Sequence, residues 1–301
     1  MPLTTEEKAL HNTAIGGSLI AAVLGVNPFA RPIDAWLHLT GRAQKDTNEP
    51  VTSWGHAMED MLSSWYEEKT GTEVVPCPTL VHPDKPWIIA TPDRIVQDSD
   101  VLVECKHVGD RVAWHWYDGP PDYVVLQCVW QMLVCRALGM PITRVDVVAD
   151  IAGAPPEIFP VEYDAELEAM VLEAAIRFWE DRVQADVAPP VDASESYQAW
   201  LRRQFPNSNG VMREEPEAEE WAVRYNAAKE TEKAAKEESE LAANHLRALI
   251  ADDDGVRGIW GKVTNRTSAS GSRTLRVTLA TSPRSRRKGR ATIRDIGGLD
   301  I

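Results

Sequence analysis

Residues 87–107, WIIATPDRIVQDSDVLVECKH, constrain the fold most strongly, because two apolar strands around a polar turn predict a β-hairpin. Alternate side chains of a strand share a face, so Glu104 and Lys106 point the same way and Cys105 points to the opposite face. Two carboxylates, Asp93 and Glu104, that converge with a lysine suit a hard divalent cation and a water nucleophile. An ordinary charged surface hairpin would explain the same three residues, so the triplet alone leaves both interpretations open.

The composition predicts a chain that folds in a reducing cytoplasm. Hydrophobic residues make up 44% of 301 positions, yet no apolar run approaches the ~20 residues that a membrane helix needs, and the N-terminus lacks a signal-peptide pattern. Four cysteines without CxxC spacing suggest neither a disulfide framework nor a zinc knuckle. We therefore expect cytoplasmic localisation and no membrane partner.

Charge is distributed unevenly along the chain. The formal net charge is −14, but residues 1–215 carry −17 and residues 255–301 carry +9. An acidic body repels phosphate except where a local channel or a bound metal ion reverses the field. Basic runs such as SPRSRRKGR at 282–290 bind nucleic acid or serve as solubilising tails, and the acidity of the rest favours binding.

Three predicted helices carry further candidate residues. Ser18 is placed to cap a short apolar helix that ends at Gly25, where free backbone amides form a phosphate site or a plain cap. In a helix over residues 53–69, Glu59 lies at the edge of an apolar stripe formed by Trp54, Met58, Met61, Leu62 and Trp65. In a helix from Tyr123 to Leu138, Gln127 and Gln131 form a polar pair at i and i+4 that lies on the surface or lines a site.

The alternation of strands and helices predicts an α/β (α+β) fold with a mixed central sheet flanked by helices. We place a core at residues 1–190, of which residues 1–12 are a polar lead, and a linker with a short helix at 191–215. A charged helical arm follows at 216–254, and a small basic β-hairpin and tail complete the chain at 255–301.

Several segments, in order, resemble the YqaJ-like viral recombinase nucleases, relatives of phage lambda exonuclease in the PD-(D/E)xK superfamily. They are GGSLIAAVLGVNPF with AWLHLTG, then WGHAMEDMLSSWYEEKTG, then HPDKPWIIATPDRIV with VLVECKH, and finally YVVLQCVWQMLV. Together they cover about residues 12–185, and this combination is far more specific than Asp93, Glu104 and Lys106 alone. The resemblance implies a restriction-endonuclease-like core.

The resemblance also implies roles for individual residues. Glu59, Asp93 and Glu104, with the backbone carbonyl of Cys105, would hold two Mg²⁺ ions, and Lys106 would orient or deprotonate the attacking water. Mn²⁺ is the alternative ion, because some helicase-associated relatives bind manganese through a histidine near the position of His56. Substrate contacts would come from four side chains: Ser18 and Thr91 at a terminal phosphate, and Gln127 and Gln131 lining the site.

The function implied by the resemblance is 5′→3′ digestion of linear double-stranded DNA, leaving 3′ single strands for a single-strand annealing partner in phage-type recombination. Lambda-type relatives further suggest a homo-oligomeric ring. A RecB-type or CRISPR-adaptation-like nuclease is the alternative enzyme, although an iron–sulfur cluster would need cysteines beyond Cys135, where the sequence has none. A catalytically idle DNA-binding or assembly module is the alternative outside enzymes.

Overall fold

The computed structural model describes residues 4–43, 49–268 and 270–280, without the side chains of residues 49–53 and 56. These residues form two compact units, residues 4–206 and residues 207–280. The basic run at 282–290 lies outside the described residues. Within the described part of the chain, no helix is long and apolar enough to cross a membrane.

The first unit contains most of the secondary structure. Its helices are α1 (Thr5–His11), α2 (Gly17–Val23), α3 (Pro32–Leu39), α4 (Glu49–Thr70), α5 (Asp122–Ala137), α6 (Ala165–Phe178) and α7 (Glu195–Gln204), with a 3₁₀ turn at Ala113–Trp116 and a π-helical turn at Trp179–Gln184. Its strands are β1 (Val74–Pro76), β2 (Leu80–Val81), β3 (Ile89–Ala90), β4 (Arg94–Val96), β5 (Val101–Val108), β6 (Arg144–Ile151) and β7 (Glu157–Glu162).

A five-stranded mixed sheet forms the centre of this unit, in the order β1-β4-β5-β6-β7. β5 and β6 run parallel over eight residue pairs, and the other neighbouring strands are antiparallel. One face of the sheet packs against α5 and its neighbours through Leu102, Val145 and Val147. The opposite face packs Val103 and Val148 against α4. The expected mixed sheet flanked by helices is therefore confirmed.

The hairpin differs from the sequence expectation in one respect. The apolar strand expected at 87–90 is only β3, which pairs with β2 in a separate two-stranded sheet, and the hairpin consists of β4 and β5. Asp93 lies immediately before β4, after Pro92. Because Pro cannot donate to a strand ladder, the chain changes sheets at this point.

Two helices in the N-terminal part of the chain differ from the sequence expectations. The predicted polar lead is α1, whose first turn is closed by a capping box in which Thr4 and Glu7 exchange hydrogen bonds. The stripe expected on α4 is only partly right: Leu62 is buried and Trp65 packs beside it, but Trp54 and Met61 are exposed, and Tyr66, outside the expected stripe, is buried. Helix α4 carries more large apolar side chains than one face of the sheet can cover, so its packing against the sheet determines which of them are buried.

The second unit contains α8 (Glu217–Ile250), β8 (Gly255–Gly258), β9 (Gly261–Thr267) and β10 (Arg273–Leu279). The three strands form an antiparallel sheet in the order β10-β9-β8. The expected hairpin is therefore a three-stranded sheet, because the glycine-bounded segment GVRG pairs with β9 as an additional strand. α8 ends at Ile250, and the turn that follows leads into β8.

Candidate active site

Glu104 and Lys106 lie on the face of β5 that packs against α5, as strand periodicity predicts. The Glu104 side chain is only 3% exposed and accepts three hydrogen bonds from side chains. Lys106 Nζ donates to Glu104 Oε1 at 2.6 Å, Gln127 Nε2 donates to the same oxygen at 2.6 Å, and Gln131 Nε2 donates to Oε2 at 2.7 Å. A buried carboxylate needs such partners, because its desolvation otherwise costs several kcal/mol.

Helix α5 supplies the other polar layer of this cluster. Gln127 also accepts from Lys106 Nζ at 2.9 Å through its Oε1, so lysine, glutamate and glutamine form a closed ring of hydrogen bonds. Gln131, one turn later, is 1% exposed, and its Oε1 has no hydrogen-bond partner. The structure therefore brings together both predicted glutamines with Glu104 and Lys106.

Asp93 lies beside this cluster, immediately before β4, the strand that pairs with β5 in the hairpin. Its Oδ2 accepts the backbone N–H of Cys105 at 2.8 Å, which fixes the carboxylate beside β5. Burial and the negative charge of Glu104 raise the pKa of Asp93 well above its usual value, despite the opposing effect of Lys106. A carboxyl group whose ionisation is disfavoured by a neighbouring carboxylate is a typical setting for a bound cation.

The surroundings of Lys106 favour its ammonium form in the metal-free protein. Burial lowers the pKa of Lys106, but the carboxylates of Glu104 and Asp93 raise it by more, so the net pKa lies above the usual value of 10.5. The side chain therefore donates hydrogen bonds and carries positive charge at neutral pH. Its protonation state could not be read from the sequence, because it depends on the balance of these opposing effects.

Glu59 lies on α4, which packs on the opposite face of the sheet, and it does not join Asp93 and Glu104 in a cluster close enough to enclose an ion. Its backbone carbonyl accepts from Ser63 Oγ at 2.7 Å and lies 3.7 Å from Cys105 Sγ, and its charge helps to raise the pKa of Asp93. The Cys105 side chain points towards α4, away from Glu104, as strand alternation predicts. Burial raises the pKa of this thiol, so only its backbone carbonyl suits a hard cation.

Arg94 is a site residue that sequence reasoning missed. Its guanidinium is 8% exposed and donates to the backbone carbonyl of Asp93 at 2.7 Å and to Asp60 on α4 at 2.6 Å. The ion pair fastens α4, and with it the neighbouring Glu59, to the segment that carries Asp93. Its position directly after the catalytic candidate was the available signal, but the partner on α4 is a tertiary contact.

Ser18 lies at the second position of α2, and the predicted capping role is wrong. Gly16 is the N-cap, without a side-chain hydrogen bond, and Ser18 is exposed. The backbone is tight here: a Cβ on Gly17 would lie 3.1 Å from Gln127 Cγ and 3.7 Å from Gln131 Cγ. The absence of a side chain at Gly17 therefore lets the start of α2 pack directly onto the glutamine face of α5.

Thr91 is tied into a small polar cluster that the sequence did not reveal. Its hydroxyl lies 3.1 Å from His11 Nε2 and 2.9 Å from the hydroxyl of Thr79. Burial lowers the pKa of His11, which favours the neutral imidazole. Because Thr91 precedes Asp93 by two residues, α1 is linked through His11 to the backbone that positions the carboxylate.

The aromatic loop before α5 divides between two environments. Trp116 is buried, whereas Tyr117 is 71% exposed. Trp114 is partly exposed and stacks on His115 with ring centroids 3.7 Å apart. Trp116 therefore belongs to the core, whereas Trp114 and Tyr117 lie at the surface of the same loop.

The donor groups fit a hard divalent cation. Asp93 and Glu104 provide carboxylate oxygens whose mutual repulsion a cation would relieve. Among the described residues, no group of three or more His, Cys, Asp or Glu side chains is close enough to enclose an ion. Two carboxylates plus a backbone carbonyl and water leave coordination positions open to a substrate.

Comparison with known proteins supports the assignment of the fold. A model of the YqaJ-like viral recombinase domain matches residues 8–138. The uncharacterized protein YqaJ of Bacillus subtilis (strain 168) is 28% identical over 198 residues, which are 64% of this chain and 60% of that protein. The chain thus spans less than two thirds of that relative.

Two solved structures share the fold. An alkaline exonuclease (LHK-Exo) from Laribacter hongkongensis superimposes with a TM-score of 0.50 at 20% identity, covering 67% of this chain and 97% of that one. The same exonuclease in complex with dAMP gives the same score and identity over 66% of this chain. All of the predicted site residues lie within residues 8–138, and this segment matches the YqaJ-like viral recombinase domain, as its motifs indicated.

Proposed function

We propose that this protein is a Mg²⁺-dependent exodeoxyribonuclease that digests linear double-stranded DNA from its ends in the 5′→3′ direction. The observation that carries the proposal is the hydrogen-bonded ring of the buried Glu104 with the half-buried Lys106 and Gln127, beside Asp93. A fold has little use for this arrangement as a stabilising device, because burying charges costs about as much as their pairing returns. Its proximity to the Asp93 carboxylate suits phosphodiester hydrolysis.

Asp93 and Glu104, with Glu59 and the backbone carbonyl of Cys105, would hold the metal, with two Mg²⁺ ions as the expected number and Mn²⁺ as the alternative. A divalent ion at such a site lowers the pKa of a coordinated water and neutralises the charge of a phosphodiester. Asp60 and Arg94 hold α4, the helix that carries Glu59, against the segment that carries Asp93.

Lys106 would orient the attacking water by hydrogen bonding or take its proton. Burial lowers the pKa of Lys106 and the carboxylates of Glu104 and Asp93 raise it, and a metal ion bound to these carboxylates would weaken the second effect. Gln127 and Glu104 fix the position of Nζ. Gln131 would hold Glu104 in its rotamer, because it donates to the oxygen that Lys106 does not contact.

The terminal phosphate would bind near Ser18 and Thr91. Ser18 is exposed where α2 meets Gln127 and Gln131, and Thr91 precedes Asp93 by two residues. The related fold of the Laribacter exonuclease binds dAMP, a nucleoside monophosphate. A terminal-phosphate site at Ser18 and Thr91 would favour digestion from a 5′-phosphorylated end. An annealing protein that takes up the remaining 3′ strand and a homo-oligomeric ring belong to the same proposal.

The test is digestion of a linear duplex labelled at one end, with 5′-phosphate or 5′-hydroxyl termini, in Mg²⁺ or in EDTA. We expect Mg²⁺-dependent loss of the 5′-phosphorylated strand and a reduced preference for the 5′-phosphate in Ser18→Ala. Digestion from the 3′ end would contradict the proposed polarity, and cutting of circular DNA would contradict exonuclease action. Either result would favour the alternative nucleases. Binding without cleavage under all these conditions would favour the DNA-binding module.

A further inference from the structure

The three-stranded sheet of the second unit has two faces of opposite character. Direct pairing of Val256 with Val263, and of Val263 with Val277, places these side chains on one face. Val263 is 1% exposed, as is expected for a residue between the sheet and α8, whose last residue, Ile250, is fully buried. The inner face therefore contributes Val263 to the small core of the unit, whereas Val277 on β10 is 52% exposed.

The outer face consists of the alternate positions of the same strands. They are Gly255 and Arg257 on β8, Lys262, Thr264 and Arg266 on β9, and Thr274, Arg276 and Thr278 on β10. Four of these eight side chains are cationic and all four are exposed. The remaining positions are three threonines and a glycine, so the outer face presents positive charge and hydroxyl donors.

Acidic groups do little to neutralise this face. Residues 255–280 contain no Asp or Glu. Among the described residues, no carboxylate lies within 4.0 Å of Arg257, Lys262 or Arg276, whereas Arg266 pairs with Asp254 at 3.3 Å. The cations of α8 differ, because Arg224, Lys229 and Lys233 each pair with a glutamate one turn away.

We propose that the outer face of this sheet, centred on Arg257, Lys262 and Arg276, is a docking surface for the phosphate backbone of duplex DNA. Arg257 and Lys262 are direct cross-strand partners, and Arg276 is opposite Thr264, two residues further along β9. At ~3.3 Å per residue the cations from Lys262 to Arg266 span about 13 Å, or roughly four base-pair steps. DNA as the ligand rests on the proposed function.

The chemistry of the face favours a duplex over a single strand. Single-strand binding relies on aromatic side chains that stack on bases, and none of the eight outward positions is aromatic. The nearest aromatic residue, Trp260, packs on the other side: a Cβ on the inward-facing Gly258 would lie 2.6 Å from its Nε1. Cations and hydroxyls without a stacking platform match phosphates whose bases are paired.

The test uses the full chain carrying Asp93→Asn, in EDTA, so that DNA is bound and not cut. A triple variant, Arg257→Gln, Lys262→Gln and Arg276→Gln, is compared with its parent by fluorescence anisotropy on a labelled 30-bp duplex across a series of salt concentrations. We expect binding at least about 10-fold weaker at low salt and a plot of log K against log salt shallower by about 2.7, because each phosphate contact contributes ~0.9 to the slope.

A matched control removes the same charge elsewhere in the unit. Lys229→Gln, Lys233→Gln and Lys236→Gln lie on the exposed surface of α8, and we expect this triple variant to keep the parental slope. Arg257→Lys with Arg276→Lys keeps the charge and should keep duplex affinity, and a circular dichroism spectrum like that of the parent shows that the first triple variant is folded.

An unchanged salt slope in the folded outer-face triple variant would overturn the inference, as would an equal loss in both Gln triples. Equal affinity for a single strand, lost to the same extent, would contradict the assignment to duplex DNA. Failure of the proposed nuclease activity can be distinguished from failure of this docking surface. A wild-type protein that binds duplex DNA through this face without cutting it would support the docking surface and refute the exonuclease activity.

Discussion

The two sheets carry charge in opposite ways. On the α5 face of β5, Glu104 is buried, and both of its carboxylate oxygens accept side-chain hydrogen bonds of 2.7 Å or less. On the outer face of the β8–β10 sheet, Arg257, Lys262 and Arg276 are exposed. Strand alternation generates both patterns, but only the first is covered by a helix. Because α5 covers the first face, its charged side chains are held in a fixed geometry that suits catalysis. The exposed cations of the second face suit reversible binding that weakens with salt.

The largest effect should follow from substituting Glu104 or Lys106, the charged residues that α5 covers. Lys106→Ala removes the ammonium that bridges Glu104 and Gln127, and Glu104→Gln removes a carboxylate from the proposed metal site. We expect each to lower the rate of duplex digestion by about 10³-fold or more. The rate is measured as nucleotide release in Mg²⁺, with Lys69→Ala on α4 as the control for loss of a lysine; wild-type rates in both site variants would refute the assignment.

A smaller loss is expected when the support of Glu104 is removed. Gln131→Leu keeps the approximate size of the side chain but deletes the donor to Oε2 of Glu104. Outer partners of metal ligands typically affect activity by about 10–100-fold. Because Gln131 is a positioning residue, the Mg²⁺ concentration that gives half-maximal rate should rise, and Gln131→Glu should not restore it. A Mg²⁺ dependence identical to that of wild type would mean that this glutamine has only a packing role.

The raised pKa of Asp93 predicts a pH-dependent stability cost in the metal-free protein. A carboxyl with a higher pKa in the folded state than in the unfolded chain binds more protons when folded, so stability falls as pH rises above about 3.8, until the folded-state pKa is passed. In EDTA, Asp93→Asn should therefore melt above wild type by a margin that grows with pH. Added Mg²⁺ should reduce this margin by stabilising wild type.

Differential scanning fluorimetry between pH 4 and 8 measures this margin, with the exposed Asp118→Asn as the matched control. A difference in melting temperature that stays constant across the pH range, with or without Mg²⁺, would show that the pKa of Asp93 is not raised in the folded protein.

The smallest effect is expected on the opposite face of the same strand. Cys105→Ala changes a side chain that points to α4 and keeps the backbone carbonyl proposed as a ligand. We expect less than about 3-fold change in rate and a loss of stability near 1 kcal/mol, because a small buried group is deleted. Rate and urea unfolding are measured on the same preparation. A loss of activity as large as that of Lys106→Ala would remove the distinction between the two faces.

The parts of the site set by local periodicity could be predicted from the sequence. The common face of Glu104 and Lys106 follows from the strand repeat, and the adjacency of Gln127 and Gln131 follows from the helix repeat. The mixed sheet with flanking helices was also predictable from the order of elements and from the family motifs.

Contacts that join distant segments could not be predicted. The ion pair of Arg94 with Asp60 and the link from His11 to Thr91 depend on how α4 and α1 pack. Ser18 was misjudged because cap preference favours a hydroxyl, whereas the close contact of Gly17 with Gln127 sets where α2 begins. The sequence does carry a local signal for α1, the Thr4–Glu7 capping box.

The most direct test of the central claim is nucleotide release from a linear duplex over a Mg²⁺ titration, for wild type and Asp93→Asn side by side. We predict that wild type is inactive in EDTA and gains activity with Mg²⁺ to a plateau. Asp93→Asn should stay folded and bind duplex yet release nucleotides at least about 10³-fold more slowly at every Mg²⁺ concentration. Comparable release by the two proteins, or release by wild type in EDTA, would contradict a metal-dependent centre at Asp93 and Glu104.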